Sequence, residues 1–257
     1  MCYETAQLAY QIYKEAKRLN ASEEEVGELR DKWKKLNADA TDFYHVSGFS
    51  HPRLTSFTRK NDLLEVKQRV WGLIPHWVKD KEFANNLWDR TLLSRAESMH
   101  EKPSFRDAAV KNRCIVPLDG FYEHFHKNGK TYPHFIQGKE NKRLFVGGLS
   151  SQWLNKETGE LIETLSLVTT KANDFMSKIH NNPKLKEARM PLILSDENAN
   201  KWLDDDSNIS DLLVPNTSEA LKSWTVNKLK GKNYVGNVLE VQKKREYVEL
   251  NDALTLF

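Results

Sequence analysis

Two stretches near the start of the chain carry apolar residues at helical spacing. Across residues 5–19, Leu8, Ile12, Ala16 and Leu19 recur every three or four positions, which predicts a helix. Ser22-Glu23-Glu24-Glu25 then has the form of a capping box, in which a serine and a glutamate three residues later satisfy each other's backbone donors. It opens a second predicted helix with Val26, Leu29, Trp33 and Leu36 on one face. Past His51-Pro52 the pattern changes to short β-type runs: 66–74, 113–116, 120–125, 132–136, 144–149 and 164–169. Turn residues such as Lys127-Asn128-Gly129-Lys130 separate several of them. A helix is predicted over 172–180, and another begins near Ser195 and carries Trp202 and Leu203. Many short strands with few interposed helices predict an α+β fold, with curled antiparallel sheets forming a barrel-like core flanked by helices. No repeat, low-complexity stretch or linker divides the chain. One domain over residues 1–257 is expected, with a helical N-terminal insertion at about 5–40.

Composition narrows the class. With 39% hydrophobic and 29% charged residues, the 257-residue chain reads as globular and long enough to bury a core. No apolar run approaches the roughly 18 residues that cross a bilayer. The start, MCYETAQ, lacks a basic segment followed by an apolar stretch, so a cytoplasmic protein without membrane attachment is expected. The net charge of +3 is only a weak pointer to nucleic acid. The two cysteines, Cys2 and Cys114, are far apart, and no zinc-ligand spacing occurs; no metal or cofactor is expected. Cys114 lies in the apolar run Cys114-Ile115-Val116 and reads as a buried strand residue.

Cys2 stands apart by its position. An initiator methionine before a small residue is commonly removed, which would make Cys2 the first residue. That end then carries an α-amine with a pKa of about 7.7–8.0 and a thiol of about 8.5 on adjacent carbons. Enough amine is neutral near pH 7 to attack an aldehyde. The thiol can then close a five-membered thiazolidine on the imine, an intramolecular step favoured by proximity. Position alone says little, because a cysteine at residue 2 can arise by chance.

Further motifs give that position meaning. The chain contains Trp71-Gly72-Leu73-Ile74-Pro75-His76-Trp77, Ser94-Arg95-Ala96-Glu97-Ser98 and Lys102-Pro103-Ser104-Phe105-Arg106. After them come Arg113-Cys114-Ile115-Val116-Pro117-Leu118-Asp119-Gly120-Phe121-Tyr122-Glu123, Leu167-Val168-Thr169-Thr170-Lys171-Ala172-Asn173, Ile179-His180 and Arg189-Met190-Pro191-Leu192-Ile193-Leu194. In this order behind Met1-Cys2, they resemble the SRAP (SOS response-associated peptidase) family, whose members shield abasic sites in single-stranded DNA. The resemblance runs from residue 2 to about residue 240.

The resemblance implies roles for particular residues. Cys2 matches the nucleophile that forms a thiazolidine with the ring-opened sugar of an abasic site. Glu123 matches the active-site glutamate, and a carboxylate beside the N-terminus can take a proton from its ammonium. His180 matches the catalytic histidine, suited to moving a proton as the closed sugar opens. Arg95 matches an arginine that grips a phosphate beside the lesion. Trp71, Pro75 and Trp77 resemble an apolar wedge on which bases stack. Thr169 and Asn237 resemble positions lining the pocket. The implied partner is single-stranded DNA containing abasic sites, bound by a monomer.

The chain also departs from the pattern. Glu4 puts a negative charge where relatives can carry a phosphate-binding arginine, and Leu93 replaces an asparagine that hydrogen-bonds near the nucleophile. Asn85 or Asn86, from a preceding loop, could stand in for that asparagine. His124 replaces an aromatic residue, and 181–188 form an insertion after His180. Three readings therefore stay open. The first is a covalent abasic-site crosslink, accompanied by Schiff-base lyase activity. The second is an N-terminal-cysteine peptidase or amidase, and the third a catalytically weak single-stranded DNA-binding module.

Overall fold

The computed structural model describes residues 3–36, 41–205, 207–215 and 217–250. β1 (Glu4–Gln7) opens them, followed by a 3-10 segment (Ile12–Leu19), α1 (Glu23–Leu36), β2 (Phe43–Ser47), β3 (Arg53–Lys60) and β4 (Leu63–Trp71). Next come α2 (Lys81–Trp88), β5 (Leu93–Arg95), α3 (Arg106–Lys111), β6 (Arg113–Leu118), β7 (Gly120–Lys127), β8 (Lys130–Gly138), β9 (Leu144–Leu154) and β10 (Leu161–Lys171). α4 (Asp174–Ile179), β11 (Arg189–Pro191), β12 (Ile193–Leu194), α5 (Asp196–Leu203) and β13 (Leu221–Thr225) complete the strands and α-helices among the described residues.

Five strands close into a barrel in the order β10-β4-β3-β6-β9, with β9 pairing back onto β10. Closure leaves no exposed edge within the ring. β5 and β11 add to β10, and β12 adds to β9. The expected α+β barrel with flanking helices is the fold that forms. It is not wholly antiparallel, because β10 runs parallel to β4 and β5. A second sheet has the order β13-β8-β7-β1-β2. The chain passes from barrel to second sheet between Leu118 and Gly120. A Cβ on Gly120 would lie 2.4 Å from the Phe135 ring and 2.6 Å from the Ile136 carbonyl oxygen, so only glycine fits.

Alternation along the barrel strands sends neighbouring side chains to separate clusters. Ile115, Phe145 and Val168 pack with Trp202 and with Ile12, Leu29 and Trp33 of the N-terminal helical region. Cys114, Val116, Val146, Leu165 and Leu167 pack instead with Trp71, Phe121 and Ile136. Cys114 is the fully buried strand residue expected, and burial pushes its thiol up to about 12.

The helix expected from residue 5 starts later. Residues 4–7 form β1, which lies between β2 and β7 with Thr5, Ala6 and Gln7 all buried. A strand covered on both faces loses its polar alternation, so helical spacing downstream dominated the pattern. Ile12, Ala16 and Leu19 are buried as expected, but in 3-10 geometry between left-handed residues Gln11 and Asn20. The capping box forms: Glu25 N–H donates to Ser22 Oγ at 3.2 Å, and Ser22 N–H donates to Glu25 Oε2 at 2.9 Å. The strand expected over 66–74 stops at Trp71, because Gly72 adopts φ +125°. The helix expected over 172–180 is shorter, with Asn173 capping α4 and His180 just past its end.

Candidate active site

The described chain enters a recess of about 780 Å³ at Tyr3 and Glu4. β1 brings them there by pairing Glu4 with Ser47 on β2 and with Tyr122 on β7. Glu123 and His124 follow Tyr122 on β7 and also line the recess. His180 joins them from the end of α4. Cys2 itself lies outside the described residues.

Glu123 and His180 are both buried, and His180 Nδ1 lies 3.5 Å from Glu123 Oε2. Glu123 Oε1 accepts the His124 N–H at 3.0 Å. His180 Nδ1 is 2.7 Å from the Arg189 carbonyl oxygen and 3.2 Å from the Arg189 N–H. One nitrogen cannot serve both at once, and the shorter contact assigns it as the donor to the carbonyl. The lone pair then resides on Nε2. Burial lowers the His180 pKa, although the Glu123 charge and the Arg189 bond pull the other way, so the ring is neutral near pH 7. A neutral imidazole beside a carboxylate can pass protons in either direction.

Arg189 is fixed from its other end. Its Nη2 lies 2.8 Å from Glu97 Oε2 and donates to the Thr169 carbonyl oxygen at 2.9 Å. Residues of the second and last sequence motifs are thereby joined, and the carbonyl that orients His180 rests on that junction. Spacing alone gave no sign of this, because Glu97 and Arg189 are distant in sequence.

A second array was also silent in the sequence. His45 on β2 is buried, with Nδ1 2.8 Å from the Tyr234 hydroxyl and Nε2 3.6 Å from Glu4 Oε1. Glu4 Oε2 faces His124 Nδ1 at 3.9 Å. Glu4 was read from the sequence only as a lone negative charge; in the fold it is bracketed by two histidines.

The other sequence-derived residues do not line this recess. Trp71 is fully buried, donates Nε1–H to the Leu92 carbonyl oxygen at 2.8 Å and supports Gly48. It is a core residue with no face for a base, which corrects the expectation drawn from the motif. Pro75 is buried too. Thr169 is buried and donates to the Ser94 carbonyl oxygen at 3.0 Å, a link between β10 and β5. Asn237 is exposed, yet its Oδ1 accepts the N–H groups of Tyr44 and His45 at 2.7 and 3.1 Å, so its amide steadies β2. Trp77 is exposed and lines a separate recess of about 360 Å³ with Phe83, Lys79 and Asn86. Arg95 is exposed at the end of β5. Leu93 is partly buried against the second apolar cluster, so packing takes the place of a polar contact there. Asn85 and Asn86 are exposed residues of helix α2, not of a loop.

Comparison with known proteins identifies the family of the fold. The profile of the family described as SOS response associated peptidase (SRAP) matches residues 1–233. The chain belongs to the SRAP family. A solved protein from Bacteroides thetaiotaomicron superposes with a TM-score of 0.78 at 30% identity, covering 95% of this chain and all of that one. "Abasic site processing protein YoqW" of Bacillus subtilis is 37% identical over 164 residues, 62% of this chain and 68% of its own. "Abasic site processing protein HMCES" of Gallus gallus is 31% identical over 154 residues, 52% of this chain and 44% of its own. The SRAP chain therefore spans under half of that longer relative. No helix among its described residues is long and apolar enough to cross a membrane.

Proposed function

We propose that this protein binds single-stranded DNA and forms a covalent thiazolidine between Cys2 and the ring-opened sugar of an abasic site, shielding the lesion. The observation that carries the reading is the recess the chain enters at Tyr3, where Glu123 and His180 stand 3.5 Å apart. Cys2 is joined directly to Tyr3, and removal of Met1 makes it the N-terminal residue. Relatives named as abasic site processing proteins support the same substrate.

The chemistry balances without a cofactor. His180 takes the proton of the anomeric hydroxyl and hands it to the ring oxygen as the closed sugar opens to its aldehyde, and Glu123 takes one from the Cys2 ammonium. The amine adds to the carbonyl carbon, and the carbinolamine loses water to give an imine. The thiol sulfur then bonds to the imine carbon and its proton ends on the ring nitrogen. One water is released for each ring closed. β-Elimination of the 3′-phosphate from the imine before closure accounts for an accompanying lyase activity, and hydrolysis of the imine returns the free protein and the abasic site. Outside the recess, Arg95 contacts a flanking phosphate and Trp77 stacks on a base.

The test mixes untagged protein with a uracil-containing single strand treated with uracil glycosylase, then separates products on a denaturing gel. Wild type should give a shifted band, while Cys2→Ala and a form with a blocked N-terminus should give none. Full crosslinking by either would reject the mechanism. A borohydride arm separates imine, which becomes trapped, from a closed ring. Release of a peptide fragment through an acyl-enzyme, with no oligonucleotide adduct, would favour amide chemistry instead.

A further inference from the structure

Glu4 stands on the recess wall where the described chain begins, in surroundings unlike those of a surface carboxylate. His45 is wedged edge-on between the Tyr122 and Tyr234 rings, at centroid distances of 5.0 and 5.2 Å. With Nδ1 accepting from the Tyr234 hydroxyl, the Nε2 proton of His45 faces Glu4 Oε1. Asn237 steadies the backbone behind His45. Burial alone would push the Glu4 carboxyl up. The close approach of His45 at 3.6 Å and the charges of His124 and Lys230 outweigh burial, and the group is held below its ordinary range. A fixed negative charge therefore stands in a recess that also contains Glu123.

We propose that Glu4 sets the charge class of aldehyde this recess accepts. It disfavours phosphate-flanked aldehydes relative to uncharged sugar aldehydes, and His124 relieves that bias when protonated. The inference rests on the aldehyde-capturing reading of the recess given above. A phosphodiester about 4 Å from Glu4 is repelled by an amount worth about fivefold even at the dielectric of bulk water, whereas a neutral sugar feels no such force.

The groups facing Glu4 come from three elements. β2 supplies His45; β7 supplies Tyr122 and His124, with Glu123 acting on His124; the segment after β13 supplies Lys230 and Tyr234. His126 and His134 act on Glu4 through His124. Histidines are the groups of this set that ordinarily change charge between about pH 5 and 8. Burial lowers the His124 pKa, with Lys230 and His126 adding to the shift and Glu4 and Glu123 opposing it. His124 is therefore neutral near pH 7.5 and gains its proton below about pH 6.5.

The experiment uses the untagged full chain and measures adduct-formation rates with two probes: an abasic-site oligonucleotide and free 2-deoxyribose. The readout is the ratio of the two rates, in which a loss of folded protein cancels. At about pH 7.5, Glu4→Gln should raise the oligonucleotide-to-deoxyribose ratio about fivefold, while Glu4→Asp keeps the wild-type ratio. Lowering the pH to about 5.5 should raise the wild-type ratio and raise that of Glu4→Gln less. An unchanged ratio in Glu4→Gln, or a wild-type ratio flat with pH, overturns the assignment. If wild type forms an adduct with neither aldehyde, the aldehyde-capturing reading itself fails. Adducts with both at an unaltered ratio remove only the role of Glu4.

Discussion

Burial and one carbonyl fix the working state of His180. The ring is held neutral near pH 7, with its Nδ1 proton committed to Arg189 and its lone pair on Nε2. Replacing it by glutamine should slow crosslinking by about 100-fold or more, and Glu123→Gln should do the same, with strand binding retained. Binding measured with a stable abasic analogue separates the two effects; equal loss of binding would make both residues structural. The pH profile adds a second readout. Crosslinking rate should rise with pH towards the α-amine pKa of about 7.7–8.0, because the neutral amine attacks. Because the His180 pKa is lowered, its own limb should lie below about pH 6.5, where the slope of log rate against pH steepens. His180→Gln should lose that steepening; a profile unchanged in shape would remove His180 from proton transfer. Glu123 and His180 were legible in the sequence because each closes a recognisable motif. His45, Tyr234 and Lys230 were not, because only the β1–β2 register and the segment after β13 bring them to Glu4. Trp71 misled for the opposite reason: an aromatic residue in a motif reads alike whether it packs inward or meets a ligand.

Elements whose stabilising contacts are local could be read from the sequence, and those stabilised by partners could not. The α1 capping box is complete within four residues, and it forms as read. Ser22→Ala should therefore cost about 1 kcal/mol, measured as a lower urea midpoint with an unchanged slope. No change in midpoint would mean that packing of Leu29 and Trp33 holds the helix start without the cap. The Lys127–Lys130 turn was equally legible: Asn128 and Gly129 take φ of 51° and 71°, the left-handed pair a two-residue hairpin needs. β1, by contrast, is a four-residue strand because β2 and β7 pair with it on both sides. The link from Glu97 through Arg189 to His180 is likewise tertiary, bridging residues far apart in the chain. Glu97→Gln weakens the ion pair and should slow crosslinking several-fold. In a His180→Gln background the same change should have little further effect, since both act through one ring. Fully additive losses would show that Glu97 serves something other than the His180 orientation.

At the scale of the whole molecule, the site depends on how the second sheet is fastened to the barrel. Gln7 is the joint. Its Nε2 donates to the Thr55 and Pro117 carbonyl oxygens at 2.9 Å each, and its Oε1 accepts the Thr55 N–H at 2.6 Å. Thr55 belongs to β3 and Pro117 to β6, so one buried amide ties β1 to two barrel strands. β1 also positions Glu4 and the entry of the chain into the recess, so a loose β1 would blur the site as well as the fold. Gln7→Leu keeps the approximate volume but leaves three buried backbone groups without this partner. At about 1–3 kcal/mol for each unsatisfied group, the loss should be at least 3 kcal/mol, a large part of the roughly 5–15 kcal/mol that holds a domain together. Thr5→Val offers the contrast. It removes one hydrogen bond, from Thr5 Oγ1 to the Gly120 carbonyl oxygen at 2.9 Å, between two strands of the same sheet. Its cost should be nearer 1 kcal/mol. Equilibrium urea denaturation of the two variants beside wild type decides the matter. If Gln7→Leu falls within about 1 kcal/mol of wild type, the apolar cluster of Leu54, Val116, Phe121 and Ile136 fastens the sheets unaided, and the amide is not the joint.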